Sequence, residues 1–493
     1  MKIPQAVLEI IQKLNQAGFE AYAVGGCVRD LLMGETPGDW DVTTNAKPEE
    51  IQKGFPDSFY ENQFGTVGVK TQHLLEKDAG QAGSDDESLK VVEITTYRIE
   101  SKYSDKRHPD EIKFTDHLEE DLKRRDFTIN ALALAVDGKV IDLFNGQADL
   151  KKKIIRAVGE PGERFSEDAL RMMRAIRLAA VLDFTIEPET LAAIKKHSGL
   201  LKMIAKERVR DELTKTVLAD KGDRGIELLR EAGLLEHVMP ELLEGVGVGQ
   251  NLHHIYEVWE HNLRALRYAC EKKYTLAVRL ASLLHDVGKP RSKRGEGYNS
   301  TFYGHEVIGA RMTAQIMDRL KFPRDLAEKI IKLVRYHLFY YNVGEVTESS
   351  VRRLVANIGK ENVEDLLKVR EADRIGSGTP KAVPYKLRHL KFMIDKVARD
   401  PISPKMLKLN GNDIMKLLAI EPSPKVGMII SALMNEVLDK PAKNTREYLE
   451  KRALELDGFS EGKLRELAQS GKEKVSAEEE KEVKKIKEKY YVG

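Results

Sequence analysis

The sequence predicts an α+β head, a small mixed sheet with its helices, followed by an all-helical neck, body and tail. Two observations lead there. Short runs rich in β-branched and aromatic residues alternate with helical stretches only up to about residue 155. Beyond that point apolar residues recur at helical spacing to the end, with breaks at Gly159-Glu160-Pro161, Gly245 to Gly249, Gly376 to Pro380 and Pro401 to Pro404. A length of 493 residues exceeds the usual single domain. The division reads as a head over 1–155, a neck over 156–220, a body over 221–375 and a tail over 376–493.

Composition narrows the class. Cys27 and Cys270 lie far apart in apolar surroundings, so neither a disulfide framework nor a thiolate metal site is expected. No apolar run is long enough to span a bilayer. Met1 to Glu20 lacks the basic flank and apolar block of a signal peptide, so a cytoplasmic protein without a membrane partner is expected. The 81 Lys and Arg against 79 Asp and Glu leave a net charge of +2, which announces no nucleic-acid partner. From Lys151 to Lys215, however, fifteen basic residues stand against ten acidic ones, enough for a basic helical face or an ordinary solvated one.

In the head, Phe19 to Val24 reads as a strand leading into Gly25-Gly26. Asp41 to Thr43, Thr66 to Thr71, Val91 to Tyr97 and Val140 to Asp142 also have strand character. Glu76 to Ser88 and Ser101 to Asp110 are polar loops. Adjacent glycines at a strand-to-helix turn let backbone N–H groups approach a polyphosphate, and Arg29 adds a cationic fork. Ten residues on comes Asp39-Trp40-Asp41. On a strand, positions i and i+2 share a face, so both carboxylates converge. Such a pair repels unless a divalent cation sits between the two, and Mg²⁺ takes a few carboxylates plus substrate phosphates. Glu93, a charge among β-formers, is the candidate third carboxylate; pointing to solvent on an alternating strand is the equal alternative.

At this point the residues resemble a known family. Gly25-Gly26-Cys27-Val28-Arg29-Asp30 followed by Asp39-Trp40-Asp41 is similar to the head of class II tRNA nucleotidyltransferases and bacterial poly(A) polymerases. Four further stretches match in order: Arg124-Arg125-Asp126-Phe127-Thr128-Ile129-Asn130-Ala131, Ile141 to Gly146, Glu167-Asp168-Ala169-Leu170-Arg171, and Glu207 to Leu213. The resemblance implies a nucleotidyltransferase that extends an RNA 3′ end, with tRNA, ATP and CTP as partners and Mg²⁺ as cofactor. It implies Asp39, Asp41 and Glu93 as catalytic carboxylates. Gly25, Gly26 and Arg29 would take the triphosphate, and Arg125, Asp126 and Asn130 would order the nucleotide, with Arg174 and Arg177 counted beside them. Asp168 and Arg171, three apart on an expected helix, share a face. An acceptor beside donors can pair with the Watson–Crick edge of cytosine or adenine, whose N4 and N6 are donors and whose N3 and N1 are acceptors. The bland alternative is an i,i+3 surface ion pair.

Which nucleotides are added is read from a segment. Ser101 to Asp110, ending Lys106-Arg107-His108-Pro109, resembles the flexible segment with which CCA-adding members switch from C to A. No Gly-Arg-Arg-Phe-like signature of poly(A) polymerases follows the head; Gly159 to Phe165 stands there instead. CCA addition is therefore the first reading, with A addition alone or poly(A) synthesis as the alternative.

A second constellation sits in the body. His261, His285-Asp286, His305, His337 and Asp373, each in helical context, follow the order of the HD-superfamily metal phosphohydrolases. That ligand set suits one or two divalent ions, Mn²⁺, Ni²⁺ or Mg²⁺, and a metal-activated water acting on phosphate esters. A lone histidine on an apolar helix is usually a satisfied core residue, but six residues in this order are poorly explained that way. In the tail, Lys405, Lys408, Lys425 and Arg446 are candidate RNA contacts, and Ala477 to Lys489 reads as a solvated helix or frayed end. Two rival classes remain: an HD phosphohydrolase acting on RNA ends with an idle head, and a non-catalytic RNA-binding factor. The intact Asp39, Asp41 and Arg171 oppose the first. The near-neutral charge and the lack of an aromatic stacking stretch oppose the second.

Overall fold

Helix α1 (Gln5–Gln16) opens the head: Val7, Ile10, Ile11 and Leu14 recur at helical spacing, and all four are buried. The computed structural model describes residues 2–62, 65–71, 89–101, 111–251, 255–339, 341–398 and 407–492. The chain forms two units, Met1–Leu338 with Glu364–Pro380, and Phe339–Val363 with Lys381–Gly493.

In the first unit the strands are β1 (Ala21–Val24), β2 (Asp41–Thr44), β3 (Ser58–Asn62), β4 (Thr66–Lys70), β5 (Val91–Thr96), β6 (Arg98–Ser101), β7 (Glu111–Phe114), β8 (Leu132–Leu134) and β9 (Val140–Asp142). Seven of them make one sheet in the order β3-β4-β5-β2-β1-β8-β9, while β6 and β7 pair separately. The β2–β5 pair is parallel and the other pairs of the large sheet are antiparallel. Alternation decides the faces. Val92 and Ile94 of β5 and Val42 of β2 point into the core with Val67 and Val69 of β4, against α1 and the Pro48–Gly54 helix. The opposite face of β2 and β5 is left for polar residues.

The expected strands at Asp41, Thr66, Val91 and Val140 are present, and β1 starts at Ala21 rather than Phe19. Strands β3, β6, β7 and β8 were not expected. Ser58–Asn62 is half polar, and Leu132–Leu134 lies in an Ala-rich run without period-2 alternation because both its faces are buried. A short parallel pair, Ile154–Ile155 with Thr185–Ile186, also stands where only helix was expected. The segments 72–88 and 102–110, which hold the two polar loops, lie outside the described residues.

Helices follow. Pro161–Glu167, Leu170–Leu182, Pro188–His197 and Lys206–Leu218 come first, then Gly222–Glu231, Val258–Glu271, Leu276–Leu284, His305–Arg319, Arg324–Tyr336 and Val363–Gly376. The second unit is also helical and has its own core of Ile414, Ile429, Leu433, Leu449 and Leu456. The charged stretch Ala477 to Lys489 is neither frayed nor wholly solvated. It belongs to a 30-residue helix, Glu461–Tyr490, whose Ile486 is buried with Phe392 and whose Tyr490 hydroxyl donates to Asp395. Among the described residues no helix is long and apolar enough to cross a membrane.

Candidate functional site

Strand β1 ends at Gly25, which has φ 87° and ψ −135° and caps helix α2 (Gly26–Met33). Only glycine adopts that backbone conformation without strain. The space beside it is also occupied: a Cβ on Gly25 would lie 3.0 Å from Arg125 Nη1 and 3.6 Å from Asp41 Oδ2. Gly25 thus lies between the first carboxylate of β2 and an arginine from the next motif. Gly26 is different, because a Cβ there would meet nothing closer than Arg29 Nη2 at 3.6 Å.

Asp39 is exposed just before β2, Trp40 is buried, and Asp41 is half-buried at the first position of the strand. The parallel register pairs Asp41 with Glu93 of β5. Neighbours in register project to the same face, so exposed Glu93 joins Asp41 on the face away from the core, while Asp39 sits at a bend two residues before β2 and not on the strand expected for it. These hard oxygen donors suit Mg²⁺. They are not drawn tightly together: among the described residues, the groups of three ligands with atoms within 4.8 Å of one another both lie in the helical body. Mutual repulsion of carboxylates favours that spacing.

Arg29 is held on two sides, donating through Nε to Asp30 Oδ1 at 2.8 Å and through Nη1 to Asn130 Oδ1 at 2.8 Å. Asn130 in turn donates to Asp126 Oδ1 at 3.1 Å, and the Phe127 N–H donates to the same oxygen. The other oxygen of Asp126 accepts both Nε (2.7 Å) and Nη2 (2.6 Å) of Arg174. Burial alone would raise the Asp126 carboxyl, but the Arg174 guanidinium and the Asn130 hydrogen bond hold it at about 2. Arg29, Asn130, Asp126 and Arg174 are thus one connected network. Arg125 has its Nε buried without a hydrogen-bond partner.

The Asp168–Arg171 pair is built differently from the expectation. Asp168 does not lie on a helix: it has φ −125° and ψ 105° between the Pro161–Glu167 and Leu170–Leu182 helices. Its side chain accepts the Leu170 N–H at 2.9 Å, the local aspartate hydrogen bond that competes with helix. Its other oxygen accepts Arg208 Nη2 at 3.2 Å. Arg171 is buried and donates to Glu167 Oε2 at 2.6 Å and to the Arg124 carbonyl at 2.9 Å. The two side chains are therefore held by separate partners and do not form the i,i+3 ion pair. Arg177 turns to buried Glu212, at 2.7 Å.

Sequence reasoning missed Asp121 and Thr43, and it quoted Glu167 and Glu212 within their motifs without assigning them a role. Asp121 is fully buried and accepts from Thr43, Arg124 and Arg125. Its signal was available only as i,i+3 and i,i+4 spacing to the two arginines, which on an acidic helix reads as a solvated pair.

The second constellation assembles completely. His261 comes from Val258–Glu271, His285 and Asp286 follow Leu276–Leu284, His305 opens its helix, His337 ends another, and Asp373 comes from Val363–Gly376. All six are at most 7% exposed. Asp286 is the centre. Its Oδ2 lies 3.0 Å from His261 Nε2 and 3.3 Å from His285 Nε2, and its Oδ1 lies 3.3 Å from His305 Nε2 and 3.6 Å from His337 Nε2. Asp373 Oδ1 approaches His261 and His285 at 3.4 and 3.6 Å. The Nδ1 atoms of His285, His305 and His337 face the carbonyls of Ser282, Phe302 and Val334 at 2.7–2.8 Å. A proton on each Nδ1 leaves the Nε2 lone pair for a metal, so the donors fit a divalent cation. Burial opposes a charge on His285, but the neighbouring Asp286 and Asp373 raise it to about 10. A cavity of about 560 Å³ opens onto Asp286, His305, His337 and Asp373, with Lys289, Arg370 and Arg374 also in its wall.

Comparison with known proteins agrees with both halves. Residues 21–156 match the poly(A) polymerase head domain, 183–245 the probable RNA and SrmB-binding site of polymerase A, and 258–375 the HD domain. Domain by domain, the chain is similar to the tRNA nucleotidyltransferase and poly(A) polymerase family with an HD domain. Among curated members, the CCA-adding enzyme of Levilactobacillus brevis is 47% identical over 228 residues, 46% of this chain and 54% of that protein. That of Lactobacillus gasseri is 47% identical over 233 residues, 47% of this chain and 55% of that protein. The matches thus span about half the length of these relatives. A solved member, the Bacillus stearothermophilus CCA-adding enzyme in complex with CTP, is 28% identical with a TM-score of 0.58, covering 93% of this chain and 98% of its own. Among the expected tail contacts, Lys425 is paired with Asp457 and Arg446 with Glu450, while Lys405 lies outside the described residues.

Proposed function

We propose that this protein adds CCA to the 3′ end of tRNA from CTP and ATP, releasing pyrophosphate. The observation that carries the reading is the β2–β5 register, which sets Glu93 beside Asp41 on the open face of the sheet, with Asp41 Oδ2 and Arg125 Nη1 both flanking Gly25. Asp39, Asp41 and Glu93 would hold Mg²⁺, which supplies charge neutralisation at the attacking 3′-oxygen and the leaving pyrophosphate. The chain's own residues do the rest. The α2 N-terminus and Gly25-Gly26 offer backbone N–H groups to the triphosphate. Arg29 and Arg125 neutralise it, and the Asp126–Asn130–Arg174 network orders the nucleotide, with Arg177 buttressing the neck helix through Glu212. Asp168 accepts from the exocyclic amine of cytosine or adenine and Arg171 donates to the adjacent ring nitrogen. This pairing disfavours guanine and uracil, whose corresponding groups have the opposite polarity. CCA rather than A addition is supported by the curated relatives, which are named CCA-adding enzymes, and by the solved relative that binds CTP. A cytoplasmic location fits such a substrate.

A second reading applies to the body. The six HD residues would hold one or two divalent ions, Mn²⁺, Ni²⁺ or Mg²⁺. The cavity lined by Lys289, Arg370 and Arg374 suits the phosphate ester of a damaged RNA end.

The test is Mg²⁺-dependent extension of three tRNA transcripts, ending at the discriminator base, at C and at CC, with CTP, ATP or both. Growth of the shortest transcript to a CCA end and then arrest is expected. Extension of only the CC-ended transcript would reassign the protein as A-adding, and unlimited A addition as a poly(A) polymerase. Replacing Asp39 or Asp41 with Ala should abolish incorporation while tRNA binding is kept.

A further inference from the structure

Asp121 is a buried carboxylate outside every motif singled out from the sequence. It lies on the short Leu118–Lys123 helix and is 0% exposed. Its Oδ1 accepts Nε and Nη2 of Arg124 at 2.9 and 2.7 Å. Its Oδ2 accepts Thr43 Oγ1 at 3.0 Å and faces Arg125 Nη2 at 3.4 Å. Each partner leads to a different part of the proposed site. Thr43 is two residues beyond Asp41 on β2 and therefore shares its face. Arg125 Nη1 borders Gly25 together with Asp41 Oδ2. The Arg124 carbonyl is the acceptor that anchors Arg171.

We propose that Asp121 is a positioning residue for nucleotide addition: it fixes Arg125 beside Gly25 and ties the catalytic strand to the backbone that seats Arg171. The inference rests on the reading of Asp41, Arg125 and Arg171 given above. A buried ion pair is often neutral for stability when replaced as a whole, so a purely structural role is the natural alternative. Two features favour positioning. A single carboxylate spends both oxygens on groups leading to three site elements. Arg125 also keeps a buried Nε without a partner, a donor left over for an acceptor on the incoming nucleotide. Burial works against charge on Asp121, and Arg124 and Arg125 offset it, holding the carboxyl below its ordinary value.

The experiment compares wild type, Asp121→Asn, Arg125→Gln and the double variant. It measures kcat/KM for CTP on a transcript ending at the discriminator base, tRNA Kd without nucleotide, and thermal midpoint. Asp121→Asn should lower kcat/KM for CTP by on the order of 10- to 100-fold with tRNA Kd unchanged. In the Arg125→Gln background the same change should add no more than about threefold, because both act through one guanidinium. Losses that multiply, or a lowered midpoint with kcat/KM retained below it, overturn the inference while leaving CCA addition intact. Thr43→Val removes one hydrogen bond without a charge and covers the case in which Asp121→Asn does not fold. It should lower kcat/KM for CTP in the same direction, and no change in it overturns the proposal. A wild-type protein that extends no transcript overturns the functional reading and the inference with it.

Discussion

Gly25 and Gly26 look equivalent in the sequence and are not equivalent in the structure, so a pair of alanine substitutions separates backbone strain from phosphate approach. Gly25 has φ 87° and ψ −135°. Placing alanine there costs about 1–3 kcal/mol in backbone strain. Its Cβ would also stand 3.0 Å from Arg125 Nη1, so the guanidinium must give by a few tenths of an ångström. If about 2 kcal/mol of this is felt in the transition state, kcat/KM for CTP falls roughly 30-fold. Gly26 sits at the first position of helix α2, and its Cβ would be in ordinary contact with Arg29 Nη2 at 3.6 Å. Gly26→Ala should therefore stay within about threefold of wild type and melt no lower, since alanine favours helix over glycine. The assay is single-turnover extension at saturating tRNA with CTP varied, beside a thermal melt of each variant. A Gly26→Ala variant as impaired as Gly25→Ala would refute the argument from φ and Arg125, and would place the constraint in close approach of the triphosphate to both glycines.

The remaining predictions concern the network, the metal cluster and base choice. Asp126 is held at about 2, below its ordinary value, so its pairing with Arg174 stabilises the fold above about pH 4. That stabilisation is lost as the pH falls towards 2. Because Arg174 is 38% exposed, solvent screening limits the contribution to roughly 1–2 kcal/mol. The gap in thermal midpoint between wild type and Arg174→Gln should narrow from pH 7 to about pH 3, and a constant gap would reject the pairing as its source. Asp286 faces both histidine pairs. Asp286→Asn should therefore lower Mn²⁺ or Ni²⁺ per chain by elemental analysis more than His305→Ala does, whereas full occupancy in Asp286→Asn would refute a shared ligand. Asp168→Ala should raise incorporation of G and U relative to C and A by about tenfold, the worth of one charge-assisted hydrogen bond, and unchanged selectivity rejects base reading by Asp168.

What the sequence made legible was whatever local spacing encodes. Period-2 alternation suggested one face for Asp39 and Asp41, but β2 begins only at Asp41. The same alternation left Glu93 undecided between metal and solvent, because exposure and site lie on the same side of β5. The six HD residues were legible as an ordered set even though no spacing rule places His261 2.8 Å from His285. Partners brought together by topology were not legible. Arg29 meets Asn130 across 101 residues, and Thr43 meets Asp121 across 78. Both contacts depend on which strands are neighbours, and β8, which carries the chain past Asn130 to the side of β1, was itself unexpected. Asp168 shows the opposite failure. Its i,i+3 spacing to Arg171 suggested a shared helical face, but aspartate bonds its own following backbone as readily as it continues a helix. The break holds the pair apart, Asp168 on Arg208 and the Leu170 N–H, Arg171 on Glu167 and the Arg124 carbonyl. The proposed base reading therefore rests on the donor and acceptor capacity that these partners leave over. As built, the Asp168 carboxylate keeps further lone pairs for an incoming amine while Arg208 and the Leu170 N–H hold it still.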